Sequence, residues 1–232
     1  MTMIADNLHA VHARIAQACT QAGRPVDAVR LLAVSKTFGP EAVQQAFDAG
    51  QRAFGENYIQ EAVEKIATLA HLPLEWHCIG PIQSNKTRLV AEHFQWSHTV
   101  DRLKIAQRLS EQRPAHLPPL QVCIQVNVDG GSTKSGMLPE EVLPLARAVA
   151  TLPRLTLRGL MCIPEPAPDF VAACAVFTKA RGLFDALISE GLVLDTLSMG
   201  MSADVDAAVA SGSTLVRVGS AIFGARSYPA ST

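Results

Sequence analysis

VRLLAVSKTFGPEAVQQAFDAG, residues 29–50, contains the unit from which the rest of the chain is built. Its first half, Leu31 to Val34, is an unbroken apolar run of strand length. The lack of polar alternation is expected of a strand covered on both faces. Lys36 closes that run. Pro40 stands where a helix begins, Ala42, Val43, Ala46 and Phe47 form a stripe at helical spacing, and Gly50 provides a stop. A buried strand followed at once by an amphipathic helix is a βα unit, and such units imply parallel strands joined by helical crossovers.

The alternation extends in both directions. Upstream, Ile4, Leu8, Val11, Ile15 and Ala18 mark an amphipathic helix that stops at Gly23. With 31–36 as the first strand, further strands are expected at 53–57, 74–80, 96–100, 121–128, 155–163, 193–199 and 215–222. Helical patterns fill the intervals at 41–49, 58–70, 84–94, 101–112, 138–151, 169–190 and 202–211. The stretches LQVCIQVNV (120–128) and LTLRGLMCI (155–163) are apolar on both faces, as buried parallel strands should be. Eight such units fit an α/β fold of the closed (β/α)8 TIM-barrel type, with an additional N-terminal helix, better than an open doubly wound sheet. No linker, low-complexity stretch or longer repeat divides the chain, so a single domain, 1–232, is expected.

Composition narrows the function classes. Hydrophobic residues make up 48% and charged residues 18%, enough for a sizeable core. A net charge of -1, without a basic stripe, argues against nucleic acid and anionic membranes as partners. The five cysteines, Cys19, Cys78, Cys123, Cys162 and Cys174, show neither disulfide-framework nor zinc spacing and suit reduced thiols packed as small hydrophobes. No signal peptide and no apolar run of about 18 residues is evident. The expectation is a cytoplasmic protein.

In a (β/α)8 barrel the chemistry sits at the C-terminal ends of the strands. The first strand delivers Lys36 there. AFGEN (53–57) delivers Glu56 and Asn57, and EWHCIGPIQSNK (75–86) delivers His77, Gly80 and Gln83, followed by Asn85 and Lys86. The Gly-rich loop NVDGGSTKSGM (127–137) holds Asn127, Lys134 and Gly136. Loops after the seventh and eighth strands of such barrels often bind phosphate through backbone N–H groups. SMGMSAD (198–204) supplies small residues with the hydroxyls of Ser198 and Ser202, and GSAIFG (219–224) supplies Gly219 and Ser220. A lysine facing a phosphate cradle points to pyridoxal 5'-phosphate (PLP), whose aldehyde forms a Schiff base with an amine. Arg217 lies two residues before Gly219, on the same face of the last strand, where it can meet the pyridine nitrogen. An arginine only donates, so that nitrogen stays unprotonated and the ring is a weaker electron sink. This favours holding the cofactor over using it. Blander readings stand beside these: most lysines are solvated, His77 can equally be a core histidine, and Arg217 can close an internal salt bridge. Lys134 is either a solvated loop residue or the rival Schiff-base lysine.

LLAVSKT (31–37), FGENYIQE (54–61), WHCIGPIQSNK (76–86), KSGM (134–137), LRGLMCIP (157–164), LSMGMSAD (197–204) and VRVGSAIFGAR (216–226) together resemble the YggS/PROSC family, the pyridoxal phosphate homeostasis proteins. The resemblance runs from about residue 8 to residue 226. It implies a barrel similar to the N-terminal domain of alanine racemase, with Lys36 as the cofactor lysine, Asn57 and His77 as ring contacts, and Arg217 facing the pyridine nitrogen. Phosphate contacts fall on Ser198, Met199, Gly200, Met201 and Ser202, and on Gly219 and Ser220. It further implies a non-enzymatic carrier or buffer of PLP in vitamin B6 metabolism, and leaves open delivery to apo-enzymes that depend on PLP; a monomer is expected, with association through the barrel helices left open. The alternatives are a PLP-dependent amino-acid racemase of low activity and a cofactor-free Schiff-base aldolase. Alanine racemases use a tyrosine from an additional β-domain; the tyrosines here are Tyr58 and Tyr228, and neither is placed as such a base.

Overall fold

The computed structural model describes residues 2–131 and 135–224. Lys134, Arg226 and Tyr228 lie outside the described residues. The strands are β1 (Arg30–Val34), β2 (Ala53–Glu56), β3 (Glu75–Cys78), β4 (Trp96–Val100), β5 (Leu120–Gln125), β6 (Leu155–Met161), β7 (Thr196–Met201) and β8 (Leu215–Val218). The α-helices are α1 (Met3–Gln21), α2 (Pro40–Asp48), α3 (Ile59–Thr68), α4 (Thr87–His93), α5 (Leu103–Gln112), α6 (Pro139–Ala150), α7 (Phe170–Ser189), α8 (Val205–Ala210) and α9 (Ser220–Phe223). Every strand pairs in parallel with its neighbours in sequence, and β1 pairs β8, so the sheet closes as a (β/α)8 barrel.

The unbroken apolar strands are explained by this closure. Residues of one parity face the helices and join the main core: Leu31 and Ala33 of β1, Phe54 of β2 and Trp76 of β3 all belong to it. The other parity fills the lumen. Leu32, Val34, Ala53, Ile79 and Leu215 form one apolar cluster inside, and Trp96, Cys123 and Met161 form another. Burial of these side chains is the main stabilising contribution, at roughly 25 cal/mol per Å² of apolar surface removed from water.

Several expectations need correction at their ends; the strand expected at 121–128 stops at Gln125, and the one at 155–163 stops at Met161. The last strand stops at Val218 rather than running to 222, because Gly219 leaves extended backbone (φ -119°, ψ -73°) and Ser220–Phe223 turns into a short helix. The seventh strand begins at Thr196, after the nearly fully exposed Val193, and continues to Met201. Its extension passes through Gly200 at φ +98°, where a Cβ would stand 2.4 Å from that of Ala208. The region 84–94 opens with a 3-10 turn, Ser84–Lys86, before α4 begins.

Candidate functional site

Lys36 follows β1 in a tight turn. Ser35 N donates to Gly55 O, and Phe38 N donates back to Ser35 O, both at 3.1 Å, leaving Lys36 and Thr37 at the two corners. Thr37 has φ +69°, a left-handed conformation that costs a β-branched residue of order 1 kcal/mol or more and persists only where the surroundings enforce it. The enforcement lies beneath. Ser35 Oγ donates to Glu56 Oε1 at 2.6 Å, and Lys65 Nζ donates to Ser35 O at 3.0 Å and to Glu56 Oε1 at 2.5 Å. Glu56 and Lys65 are 1% and 7% exposed. Burial pushes the Glu56 carboxyl above its usual range, and the Lys65 ammonium draws it partly back.

The turn opens onto a cleft of about 290 Å³ at the C-terminal barrel mouth. Lys36, Asn57, Ser202, Arg217, Gly219 and Ser220 supply its polar surface, with Val34, Ile79, Ile163 and Met201 as apolar wall. Among the described residues, Lys36 and Arg217 are the only ionisable side chains lining it. Asn57 Oδ1 is buried without a hydrogen-bond partner, an acceptor left for something that enters. Asn57 is held there by a close approach: a Cβ on Gly80 would lie 2.1 Å from Asn57 O.

The far wall is an anion-friendly surface. The Ser202 and Ser220 hydroxyls lie 3.4 Å apart. Among the described residues, the backbone N–H groups of Ser202 and Ala203, the loop between β7 and α8, donate to no protein acceptor. Helix α1 braces this wall. Arg14 Nη1 donates to Ser202 O at 2.7 Å and Arg14 Nη2 meets Asp206 at 2.6 Å, while Asn7 Nδ2 donates to Ile222 O at 3.0 Å.

Arg217 is buried at the cleft floor. Its Nη1 donates to Ser198 O (2.8 Å) and Ser198 Oγ (2.7 Å), and its Nη2 donates to Cys162 O (2.8 Å). Its Nε–H has no acceptor among the described residues. Behind it, His98 Nδ1 lies 2.9 Å from Ser198 Oγ, and His98 Nε2 lies 2.9 Å from His77 Nδ1. His77 Nε2 meets Glu75 Oε1 at 2.8 Å, and its ring stacks on Trp96 with centroids 5.1 Å apart. Burial lowers both histidines from their ordinary value, His98 well below it, although Glu75 pulls His77 the other way.

The expected site residues therefore separate into two groups. Lys36, Asn57, Met201, Ser202, Arg217, Gly219 and Ser220 line the cleft together. Ser198 and His77 instead lie fully buried in the lumen, linked to the cleft through Arg217. Met199 packs in the outer core, and Gly200 is pressed against Ala208. Gln83 and Lys86 line a neighbouring cleft that shares Asn57, where Lys86 donates to Gln60 at 2.5 Å. Asn127 folds its own loop, accepting from Gly130 N at 3.0 Å and donating to Gly131 O at 2.9 Å. Lys65, Arg14 and His98 escaped sequence reading. Lys65 and Arg14 sit in amphipathic helices where a charged residue looks solvated, and SHT (97–99) carries no motif.

Residues 7–227 match the family model of the alanine racemase N-terminal domain. A pyridoxal phosphate homeostasis protein of Pseudomonas aeruginosa is 60% identical over 230 residues, 99% of each chain. The chain belongs to the pyridoxal phosphate homeostasis protein family. The family member of that name from Escherichia coli K12 is 54% identical over 98% of this chain and 99% of its own length. PipY of Synechococcus elongatus PCC7942, solved with PLP bound, is 37% identical, superimposes with a TM-score of 0.84, and matches 95% of this chain and 100% of its own. Alanine racemase from Corynebacterium glutamicum shares the fold at 17% identity (TM-score 0.68), with 95% of this chain matching 59% of the enzyme.

Proposed function

We propose that this chain binds PLP in the barrel-mouth cleft as a single cytoplasmic barrel domain, 1–232, and serves as a carrier or buffer of that cofactor. The residues present fit the group. An amine at a rigid turn, an orphaned buried amide oxygen on Asn57, a buried cation on Arg217 and a wall of hydroxyls and unpaired N–H groups share one cleft of suitable size. Lys36 would hold PLP by its amine, toward which the cofactor would supply an electrophilic aldehyde. Ser202, Ala203, Gly219 and Ser220 would hold the phosphate, Asn57 would meet the ring substituents, and Arg217 would face the pyridine nitrogen. An arginine donor leaves that nitrogen unprotonated.

The observation that favours a carrier over a racemase is the short ionisable inventory of the cleft. Racemisation by two bases needs an acid/base group on each side of the substrate carbon. Here Lys36 is a base, Arg217 stays protonated, and no other ionisable side chain among the described residues lines the cleft. Tyr58 is 52% exposed and faces the neighbouring cleft. The test is an absorption spectrum of the purified protein with PLP, followed by borohydride reduction, peptide mass spectrometry and amino-acid racemisation assays. A visible band, a pyridoxyl adduct on Lys36 and no turnover above a Lys36→Ala control are expected. An adduct elsewhere, or none, would overturn the site; robust turnover would overturn the carrier reading.

A further inference from the structure

A hydrogen-bonded thread runs through the lumen from the cleft to the opposite barrel face. It passes from Arg217 to Ser198 Oγ (2.7 Å), to His98 (2.9 Å), to His77 (2.9 Å) and to Glu75 (2.8 Å). Glu75 also accepts from Arg30 at 2.7 Å at the face remote from the cleft. The two ends set the direction of every link. A guanidinium only donates and a carboxylate only accepts. Ser198 Oγ accepts from Arg217, so its own proton can go to His98 Nδ1. His98 Nε2–H then donates to His77 Nδ1, and His77 Nε2–H donates to Glu75. Each ring carries one proton, on Nε2, and every atom of the thread has a partner of the opposite kind. Reversing the links needs an additional proton, which would make His77 an imidazolium within a wholly buried pair of rings.

We infer that His98 and His77 are positioning residues for Arg217, holding it at the cleft floor as a one-way thread of two neutral Nε2–H rings ending at Glu75. This rests on the reading of the cleft as a PLP site. Without the thread, the Ser198 hydroxyl loses its acceptor and the guanidinium loses a fixed partner. Four buried polar groups are held in the interior, and a fully satisfied network of this kind rigidifies the groups it contains. Their arrangement makes sense where Arg217 must keep one orientation. Trp96 stacks on His77 with an interplanar angle of 8° and keeps that ring from turning.

Two measurements test this. Long-range ¹H–¹⁵N correlation spectra of the histidine rings at pH 7.5 should show both His77 and His98 protonated on Nε2 only. An Nδ1–H ring or an imidazolium at either position would overturn the one-way thread. The visible band and PLP affinity are then compared in His98→Leu and His98→Asn, the second of which keeps an acceptor near the Nδ1 position. The expected result is a displaced band and roughly tenfold weaker binding in His98→Leu, with the band restored in His98→Asn. A His98→Leu protein with the wild-type band and affinity would overturn the positioning role alone. A wild-type protein that gains no band with added PLP would overturn the cofactor reading and this inference with it. If His98→Leu does not fold, the ring spectra and His98→Asn still decide: a displaced band in His98→Asn despite its acceptor would count against the role.

Discussion

Lys65 Nζ lies 2.5 Å from Glu56 Oε1 beneath the turn that carries Lys36, and the pair spans α3 and β2 out of reach of water. Replacing only the cation exposes the cost of the carboxylate. Lys65→Met leaves the Glu56 carboxylate buried, its Oε2 already unsatisfied, and takes one of two donors from Ser35 O. A loss of about 3–5 kcal/mol is expected in urea denaturation. Adding Glu56→Gln should recover part of it, because a neutral amide costs less to bury than a lone carboxylate. A Lys65→Met protein within about 1 kcal/mol of wild type would show that the ion pair is not what secures the turn.

The lumenal histidines give stability a pH dependence with a definite sign. Both are lowered in the folded chain by burial. Below the ordinary histidine pKa of about 6.5 the unfolded chain takes up protons that the folded chain refuses, so stability falls as pH falls, by up to about 1.4 kcal/mol per pH unit for each ring. Glu75, held at about 2 because the hydrogen bonds from His77 and Arg30 and the charge of the Arg30 guanidinium outweigh its burial, extends the loss below about pH 4.5. Thermal midpoints between pH 8 and 5 should therefore decline in the wild type and decline less in His98→Asn. Equal slopes would contradict the neutral assignment of His98.

Gly80 is a test of the cleft that replaces none of the side chains lining it. A methyl group would sit 2.1 Å from Asn57 O, too near to be absorbed without backbone movement. Gly80→Ala should cost about 1–3 kcal/mol and move Asn57, weakening PLP binding at least severalfold while borohydride treatment with PLP still leaves a pyridoxyl adduct on Lys36. Unchanged affinity by equilibrium titration would remove Asn57 from the list of contacts.

Arg14 lies outside the cleft but holds its anion wall through Ser202 O and Asp206. Arg14→Met should weaken PLP by roughly three- to tenfold, a loss of about 1 kcal/mol of support. Pyridoxal, which lacks the phosphate, should be affected much less. Equal losses for the two aldehydes would mean that the brace supports the whole cleft and not its phosphate wall.

The barrel was legible because its strands are buried on both faces and its helices are striped, two periodicities that a single sequence displays directly. LLAV and PEAVQQAF report these without any help from the remainder of the chain. The cleft residues were legible for a related reason: Lys36, Asn57, Ser202, Arg217, Gly219 and Ser220 each follow or end a strand, and topology brings strand ends together. What lay beyond reading is whatever depends on a partner far away in sequence. Ser198 has the composition of a phosphate ligand, yet its hydroxyl faces His98, 100 residues distant, and not the cleft. Lys65 is one charge among several in α3, and only the three-dimensional fold places Glu56 and Ser35 O within its reach. The strand-8 end point was misjudged because Ala221, Ile222 and Phe223 are as apolar as a strand, while the backbone at Gly219 decides otherwise.

The brace from α1 links residues made at opposite times. Arg14 and Ser202 are 188 positions apart, and Asn7 and Ile222 are 215 apart. A chain emerging from the ribosome presents the amine of Lys36 almost at once, but the guanidinium, hydroxyls and amides that complete the cleft come last, and the first helix must wait for them. Domains fold as units once their long-range partners exist. The Lys36 amine is thus made well before the residues that face it across the cleft, and the cleft is complete only when β8 closes the barrel.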